Sequence, residues 1–322
     1  MTLVQVAVLD DYQSVAMEMA DWSVLPIGTE VRVFQDHLSD QDALVERLKG
    51  FDVIVSMRER TPFARGLLER LPGLKLLVTT GLRNASIDVQ AASDLGIVVC
   101  GTRGLPYPTA ELTWGLILAL LRRIPQEDAA TRAGGWQTGL GVGLRDKVLG
   151  VMGLGKLGSQ VATLGLAFGM RVFTWSQNLT EQRASQYGAT LVGKDELLSS
   201  ADVLAIHLVL SERTQALVGE RELGLMKSTA YLVNTSRGPI VDEGALVRAL
   251  RQRTIAGAAL DVFDQEPLPM NHPLRRLDNV VITPHIGYVT QETYRVFFDD
   301  TVEDVVSFLD GSPVRVIDSA FS

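Results

Sequence analysis

The run Gly153-Leu154-Gly155-Lys156-Leu157-Gly158 follows directly on the apolar stretch Val148-Leu149-Gly150-Val151-Met152. It leads into a segment whose Leu157, Val161, Leu164 and Phe168 recur at helical spacing. A strand that turns into a helix over three glycines fits the opening βα unit of an open parallel sheet, with an anion received at the helix N-terminus. The first glycine permits a tight turn, the second lets the backbone approach a pyrophosphate, and the third lets helix pack closely on strand. Free N–H groups of the first helical turn then face the anion. A chain with 29 glycines can produce such a run by chance, and a plain strand-to-helix turn is the competing reading. The flanking strand and helix favour a dinucleotide site.

The rest of the chain agrees with a parallel sheet. Short β-branched runs alternate with amphipathic stretches from end to end. The first half gives strands at Val4–Leu9, Glu30–Phe34, Asp52–Ser56, Lys75–Val78 and Ile97–Val99. Helices are expected near Ser14–Ala20, Asp40–Lys49, Ala64–Leu71 and Ser86–Leu95. A second series runs through Val148–Met152, Arg171–Thr174, Asp202–Leu208, Thr229–Asn234, Ile255–Asp261 and Asn279–Ile282. At 322 residues two cores are expected rather than one. The series meet at the turn-rich Gly101–Pro108, followed by a long apolar helix from about Thr109 to Arg123. A last helix, from about Thr290 to Leu309, ends at Gly311 and Pro313. It carries the chain back to the first domain, making that domain discontinuous, with a cleft between two lobes.

Several function classes fall away on composition. The net charge of -8, with no cluster of lysine and arginine, argues against a nucleic-acid partner. Cys100 is the single cysteine, so neither an internal disulfide nor a multi-cysteine metal site is available. Its apolar neighbours Ile97, Val98 and Val99 make it a buried small hydrophobe. Thr2 to Leu9 lacks the basic start of a signal peptide, and Leu112 to Leu121 is about half a bilayer span. The expectation is a cytoplasmic protein with no membrane partner and no metal.

The strand after the glycine run should end in an acid that binds the adenosine ribose. It ends in Ser176-Gln177-Asn178, and no carboxylate appears until Glu181. An uncharged Ser176 does not repel a 2′-phosphate, so NAD and NADP are both open, with Arg183 within sequence reach. Three segments at the ends of late strands carry the most promising polar residues: Asn234–Pro239, Asp261–Pro267 and Thr283–Gly287. Ligands of open α/β sheets bind beyond the carboxyl ends of strands. Arg237 offers a planar fork for a carboxylate, His285 titrates in the useful range, and Glu266 can orient that histidine. Singly, each has an ordinary alternative: a surface cation, a solvated acid, a packing histidine. His37 and His272 lie in polar loop contexts and read as solvent-facing; His207, near a strand end, is a candidate to line the cofactor site.

These segments in this order resemble the D-isomer-specific 2-hydroxyacid dehydrogenase family over essentially the whole chain. The resemblance includes Thr79–Asp88, the helix start Thr109-Ala110-Glu111, the glycine run, His207–Ser211, and the segments of Arg237, Glu266 and His285. It implies two doubly wound parallel-sheet domains: a Rossmann cofactor domain over 104–290, and a flavodoxin-like substrate domain over 1–103 and 291–322. It implies Arg237, Glu266 and His285 as the catalytic set. Cofactor contacts are implied for Gly153, Gly155, Lys156, Leu157, Gly158, Ser176, His207, Thr235, Ser236, Asp261 and Gly287. Three departures stand out: Ser176 in place of an acid, Leu82-Arg83-Asn84 in place of a glycine-rich run, and a tail without the frequent Asn.

The implied reaction is hydride transfer between a nicotinamide and C2 of a small 2-oxo or 2-hydroxy acid. The substrate carboxylate would meet backbone N–H groups near Leu82 and Arg83, and Arg237. His285, paired with Glu266, would exchange the proton. A homodimer through the cofactor domain is expected from Ala133–Trp136 and the apolar Leu112–Leu121 helix. The alternative is a dinucleotide-sensing regulator resembling the C-terminal-binding corepressors. A formate dehydrogenase relative is disfavoured by Glu266, because that chemistry needs no acid–base pair.

Overall fold

Five strands, β1 (Val4–Val8), β2 (Thr29–Val33), β3 (Val53–Ser56), β4 (Leu76–Thr79) and β5 (Val98–Gly101), form a sheet in the order β2-β1-β3-β4-β5. Every pairing is parallel. The computed structural model describes residues 3–318. Strands β3 and β4 are buried along their whole length, as apolar runs in a sheet covered on both faces should be. Edge strand β2 alternates, with Glu30 and Arg32 outward. Helices cover Gln41–Leu48, Arg65–Leu68 and Val89–Asp94. The helix expected at Ser14–Ala20 is absent. The Asp11 carboxylate accepts the N–H groups of Val15 and Ala16 (3.2 and 2.9 Å), and Ser14 sits at φ 59°, so the segment closes into turns.

Seven strands, β6 (Val148–Met152), β7 (Arg171–Trp175), β8 (Thr190–Leu191), β9 (Val203–Ile206), β10 (Tyr231–Asn234), β11 (Gly257–Leu260) and β12 (Val280–Ile282), form a second parallel sheet. Their order is β12-β11-β10-β9-β6-β7-β8. Counted from β6, this is the 3-2-1-4-5-6 winding of dinucleotide-binding sheets with one strand added at the far edge. The chain reverses its direction of winding between β6 and β9, which opens a crevice at their carboxyl ends. The two-residue β8 is too short to leave a period in the sequence.

The chain divides into two compact units, one running up to Leu105 and resuming at Val289, the other covering Pro106–Tyr288. In the first, the returning helix Gln291–Leu309 buries Tyr294, Phe297, Phe298, Val302 and Val305. Its Asp300 takes the guanidinium of Arg103 through both oxygens. Cys100 is fully buried there, and burial pushes its thiol up to about 12, which disfavours the thiolate.

In the second unit the helix Pro108–Leu121 buries Leu116, Ile117, Leu120 and Leu121 within its own unit and leaves Leu112 and Leu118 half-buried. The helix Lys156–Ala167 turns a different face inward from the one its large residues mark. Gly158, Val161, Ala162 and Gly165 are buried, whereas Leu164 and Phe168 are 39% and 42% exposed. The small residues are inside because the backbone lies almost on the sheet. A Cβ on Gly165 would stand 2.6 Å from Leu149, and one on Gly158 would collide with the carbonyl of Gly153.

Candidate active site

The glycine turn has the form its residues require. Gly153 has φ 101°, open to glycine at little cost, and a Cβ there would lie 2.6 Å from the carbonyl oxygen of His207. Gly158 is pressed against Gly153. Gly155 differs from both: a Cβ added to it meets nothing within 4 Å, so the space before it is open. The first i→i−4 bond of the helix runs from Ser159 N–H to Gly155 (3.0 Å), so the amides of Lys156 and Leu157 have no helical partner. An open cradle lined by such amides suits a diphosphate. At the neighbouring end of β9 the Nε2 atom of His207 is buried without a protein partner, and burial holds the ring's pKa down to about 4. A neutral imidazole with one unmet ring nitrogen fits a polar ligand group. Ser176 follows the end of β7, beside the turn, where the Trp175 carbonyl accepts the N–H of Gly153 (2.9 Å).

The loops after β10, β11 and β12 are welded to one another. Asn234 closes the first: its Oδ1 accepts Ser236 N–H (3.0 Å) and its Nδ2 donates to Arg237 O (2.9 Å). Thr235 shares a hydrogen bond with Thr113 (2.8 Å), and Ser236 Oγ donates to Leu208 O (2.6 Å). Gly238, which sequence reasoning passed over, lies against the Phe263 carbonyl and would put a Cβ 2.7 Å from Asp264 N. The β10 loop with Arg237 therefore rests directly on the β11 loop with Glu266. A glycine just past a strand end, facing another strand's loop, is the signal that was available.

Asp261 anchors the third loop. Oδ1 accepts from Thr283 Oγ1 (2.6 Å) and Ile286 N–H (2.8 Å), and Oδ2 from Gly287 N–H (2.8 Å). Burial raises its carboxyl above the usual range, and these bonds work against that rise. They straddle His285, which is held at φ 54°, a left-handed conformation costing a non-glycine residue about 1 kcal/mol or more. So constrained, the His285 Nδ1 lies 2.6 Å from Glu266 Oε2. The other glutamate oxygen accepts Phe263 N–H (2.9 Å). A carboxylate bound on one side by a backbone amide grips the ring in one orientation, with Nε2 left for chemistry. Tyr288 meets the ring edge-on, centroids 5.7 Å apart.

The structure thus brings together Arg237, Glu266, His285 and Asp261 at one end of the second sheet. Leu82 and Arg83 belong to the first unit, where Leu82 is 55% exposed. Their loop is pinned by Asn84, whose Nδ2 donates to Arg58 O (2.7 Å) and Thr79 Oγ1 (2.8 Å). His37 and His272 are not solvent-facing: Asp10 takes His37 (2.9 Å), and Glu243 takes His272 (2.9 Å). Arg183 is stacked on Tyr187, 4.7 Å from the ring centroid. Among the described residues no cluster of His, Cys, Asp and Glu could hold a metal ion, and no helix is long and apolar enough to cross a membrane.

A histidine gripped by a glutamate, beyond the carboxyl ends of β11 and β12 in a sheet wound for a dinucleotide, fits the class of oxidoreductases that work with a nicotinamide cofactor. Comparison with known proteins gives the family. Residues 114–287 match the model described as "D-isomer specific 2-hydroxyacid dehydrogenase, NAD binding domain", and the chain belongs to that family. It is 46% identical to a glyoxylate reductase of Aeropyrum pernix over 76% of each chain. It is 38% identical to a D-3-phosphoglycerate dehydrogenase of Methanocaldococcus jannaschii over 84% of this chain and 52% of that one. Among solved structures, a phosphoglycerate oxidoreductase of Vibrio cholerae superposes with TM-score 0.91 at 39% identity, covering 96% of this chain and 99% of that one. The protein is therefore a hydride-transferring 2-hydroxyacid oxidoreductase.

Proposed function

We propose that this enzyme reduces a small 2-oxo acid of the glyoxylate, hydroxypyruvate or phosphohydroxypyruvate kind, or oxidises the matching 2-hydroxy acid, with Arg237, Glu266 and His285 as its catalytic set. The observation that carries the reading is the 2.6 Å contact of His285 Nδ1 with Glu266. Bound nicotinamide supplies or accepts the hydride. Arg237 binds the substrate carboxylate and polarises the C2 carbonyl. His285 Nε2–H gives its proton to the carbonyl oxygen, and in the oxidative direction Nε2 removes it. Glu266 stabilises the imidazolium form and keeps the ring from turning. Gly153, Gly155 and Gly158 with the Lys156 and Leu157 amides hold the diphosphate; Ser176 meets the adenosine ribose and admits NADP as well as NAD. His207, Thr235 and Ser236 line the same crevice. Asp261, whose Oδ2 accepts only the Gly287 N–H, and Gly287 beside it complete the cofactor contacts.

The relatives compared are named for reductase or dehydrogenase activity, which favours an enzyme over a regulator. The proposal includes a homodimer in the cytoplasm, formed through the cofactor unit. Its support is Trp136 and Leu140, 78% and 95% exposed between the helix Ile124–Arg132 and β6. The helix Pro108–Leu121 adds the half-buried Leu112 and Leu118 to that surface. Light scattering that gives a monomer at micromolar concentration overturns the dimer. For the chemistry, steady-state rates with a panel of 2-oxo acids and both cofactors are the test. His285→Ala should lower turnover roughly a hundred- to ten-thousandfold; near-normal reduction by that variant ends the assignment.

A further inference from the structure

A second histidine–glutamate pair lies behind the first. Glu243, the first residue of the helix Glu243–Arg251, accepts from His272 Nε2 through Oε1 (2.9 Å) and from the backbone N–H of Asp264 through Oε2 (3.3 Å). The tautomer of His272 follows from its other nitrogen: Nδ1 accepts Leu274 N–H (3.3 Å), so the ring proton is on Nε2 and is donated to Glu243. Glu243 and His272 are largely covered, with side chains 21% and 16% exposed. Two carboxylates therefore hold two consecutive amides of one loop: Glu266 takes Phe263 N–H and Glu243 takes Asp264 N–H. That loop ends in Glu266, whose second oxygen holds His285.

We infer that Glu243, braced by His272, is a positioning residue that sets the aim of Glu266 at His285. The inference rests on the reading of Glu266 and His285 as the acid–base pair. Without Glu243 the Asp264 amide loses its acceptor and the loop relies on Gly238 and the Glu266 side chain alone. The arrangement also sets the Glu243 charge against those of Asp242 and Asp264. A carboxylate is kept there at the expense of repulsion because two donors need two acceptor oxygens.

Glu243→Gln offers one oxygen and one NH2 group, so one of the two donors meets another donor. Turnover of the best 2-oxo acid should fall about ten- to a hundredfold, as expected for slight misplacement of the reacting groups. The KM for cofactor should hold within about twofold, so that the loss falls on kcat. In the Glu266→Gln background the same change should cost less than about twofold, because its route of action is already gone. His272→Asn is the gentler variant: its Oδ1 still accepts Leu274 N–H, while its amide is too short to reach Glu243. It should lower turnover in the same direction with little change in Tm. Near-normal turnover in both variants, or losses that multiply with that of Glu266→Gln, overturns the inference. A Glu266→Gln enzyme with normal rate and pH profile overturns the acid–base reading itself, which is a separate outcome.

Discussion

Gly238→Ala is the smallest change that should disable the site without touching a reacting group. The added methyl would sit 2.7 Å from Asp264 N and nearer still to the Phe263 carbonyl, both of them backbone. Ordinary contact begins near 3.4 Å, so the Phe263–Glu266 loop must retreat by about 1 Å or the ends of β10 and β11 must part. Overpacking of this kind costs about 1–3 kcal/mol and should lower Tm by roughly 3–10 °C. The functional cost is larger, because Glu266 moves with the loop while His285 stays where Asp261 holds it. Stretching a 2.6 Å contact by about 1 Å leaves no hydrogen bond, and turnover should drop about a hundredfold. Stopped-flow reduction of a 2-oxo acid at saturating cofactor, with cofactor affinity from nicotinamide fluorescence quenching, separates the effects. The cofactor Kd should barely change. Full turnover in a folded Gly238→Ala enzyme would refute the claim that the β10 loop sets the Glu266 geometry.

Three further expectations follow from the same structure. Gly155→Ala should fold with unchanged Tm yet bind cofactor more weakly, because its methyl enters open space, whereas Gly158→Ala should destabilise the protein itself; equal Tm losses would contradict the cradle. Ser176→Asp should shift preference from NADPH toward NADH, and a wild type inactive with NADPH would show that the uncharged strand end does not admit the extra phosphate. His207 has a folded pKa of about 4 against 6.5 in its ordinary state. Between these values the unfolded chain takes up a proton that the folded chain refuses, so stability falls as pH drops through that window. His207→Gln should flatten part of that fall in urea midpoints measured from pH 7 to 4; an unchanged slope would mean that the ring is solvated.

The sequence by itself determined what is local along the chain. The glycine turn, the eleven longer strands and the residues at the ends of β10, β11 and β12 were legible because period, turn chemistry and order are written within a few residues of each position. Tertiary structure decided which of those residues meet. Glu266 and His285 are 19 residues apart and meet because the adjacent strands β11 and β12 end at matching heights, and Thr113 and Thr235, 122 apart, meet because the helix Pro108–Leu121 packs against β10. His272 looked solvated because its partner Glu243 arrives from another helix, 29 residues away. The inward face of the helix Lys156–Ala167 misled for a related reason. Side-chain size marks the buried face where helices stand off at ordinary distance, but here Gly158 and Gly165 let the backbone touch the sheet and sent the larger residues outward. Local pattern reports periodicity; close approach between distant segments is set by the packing of the whole sheet.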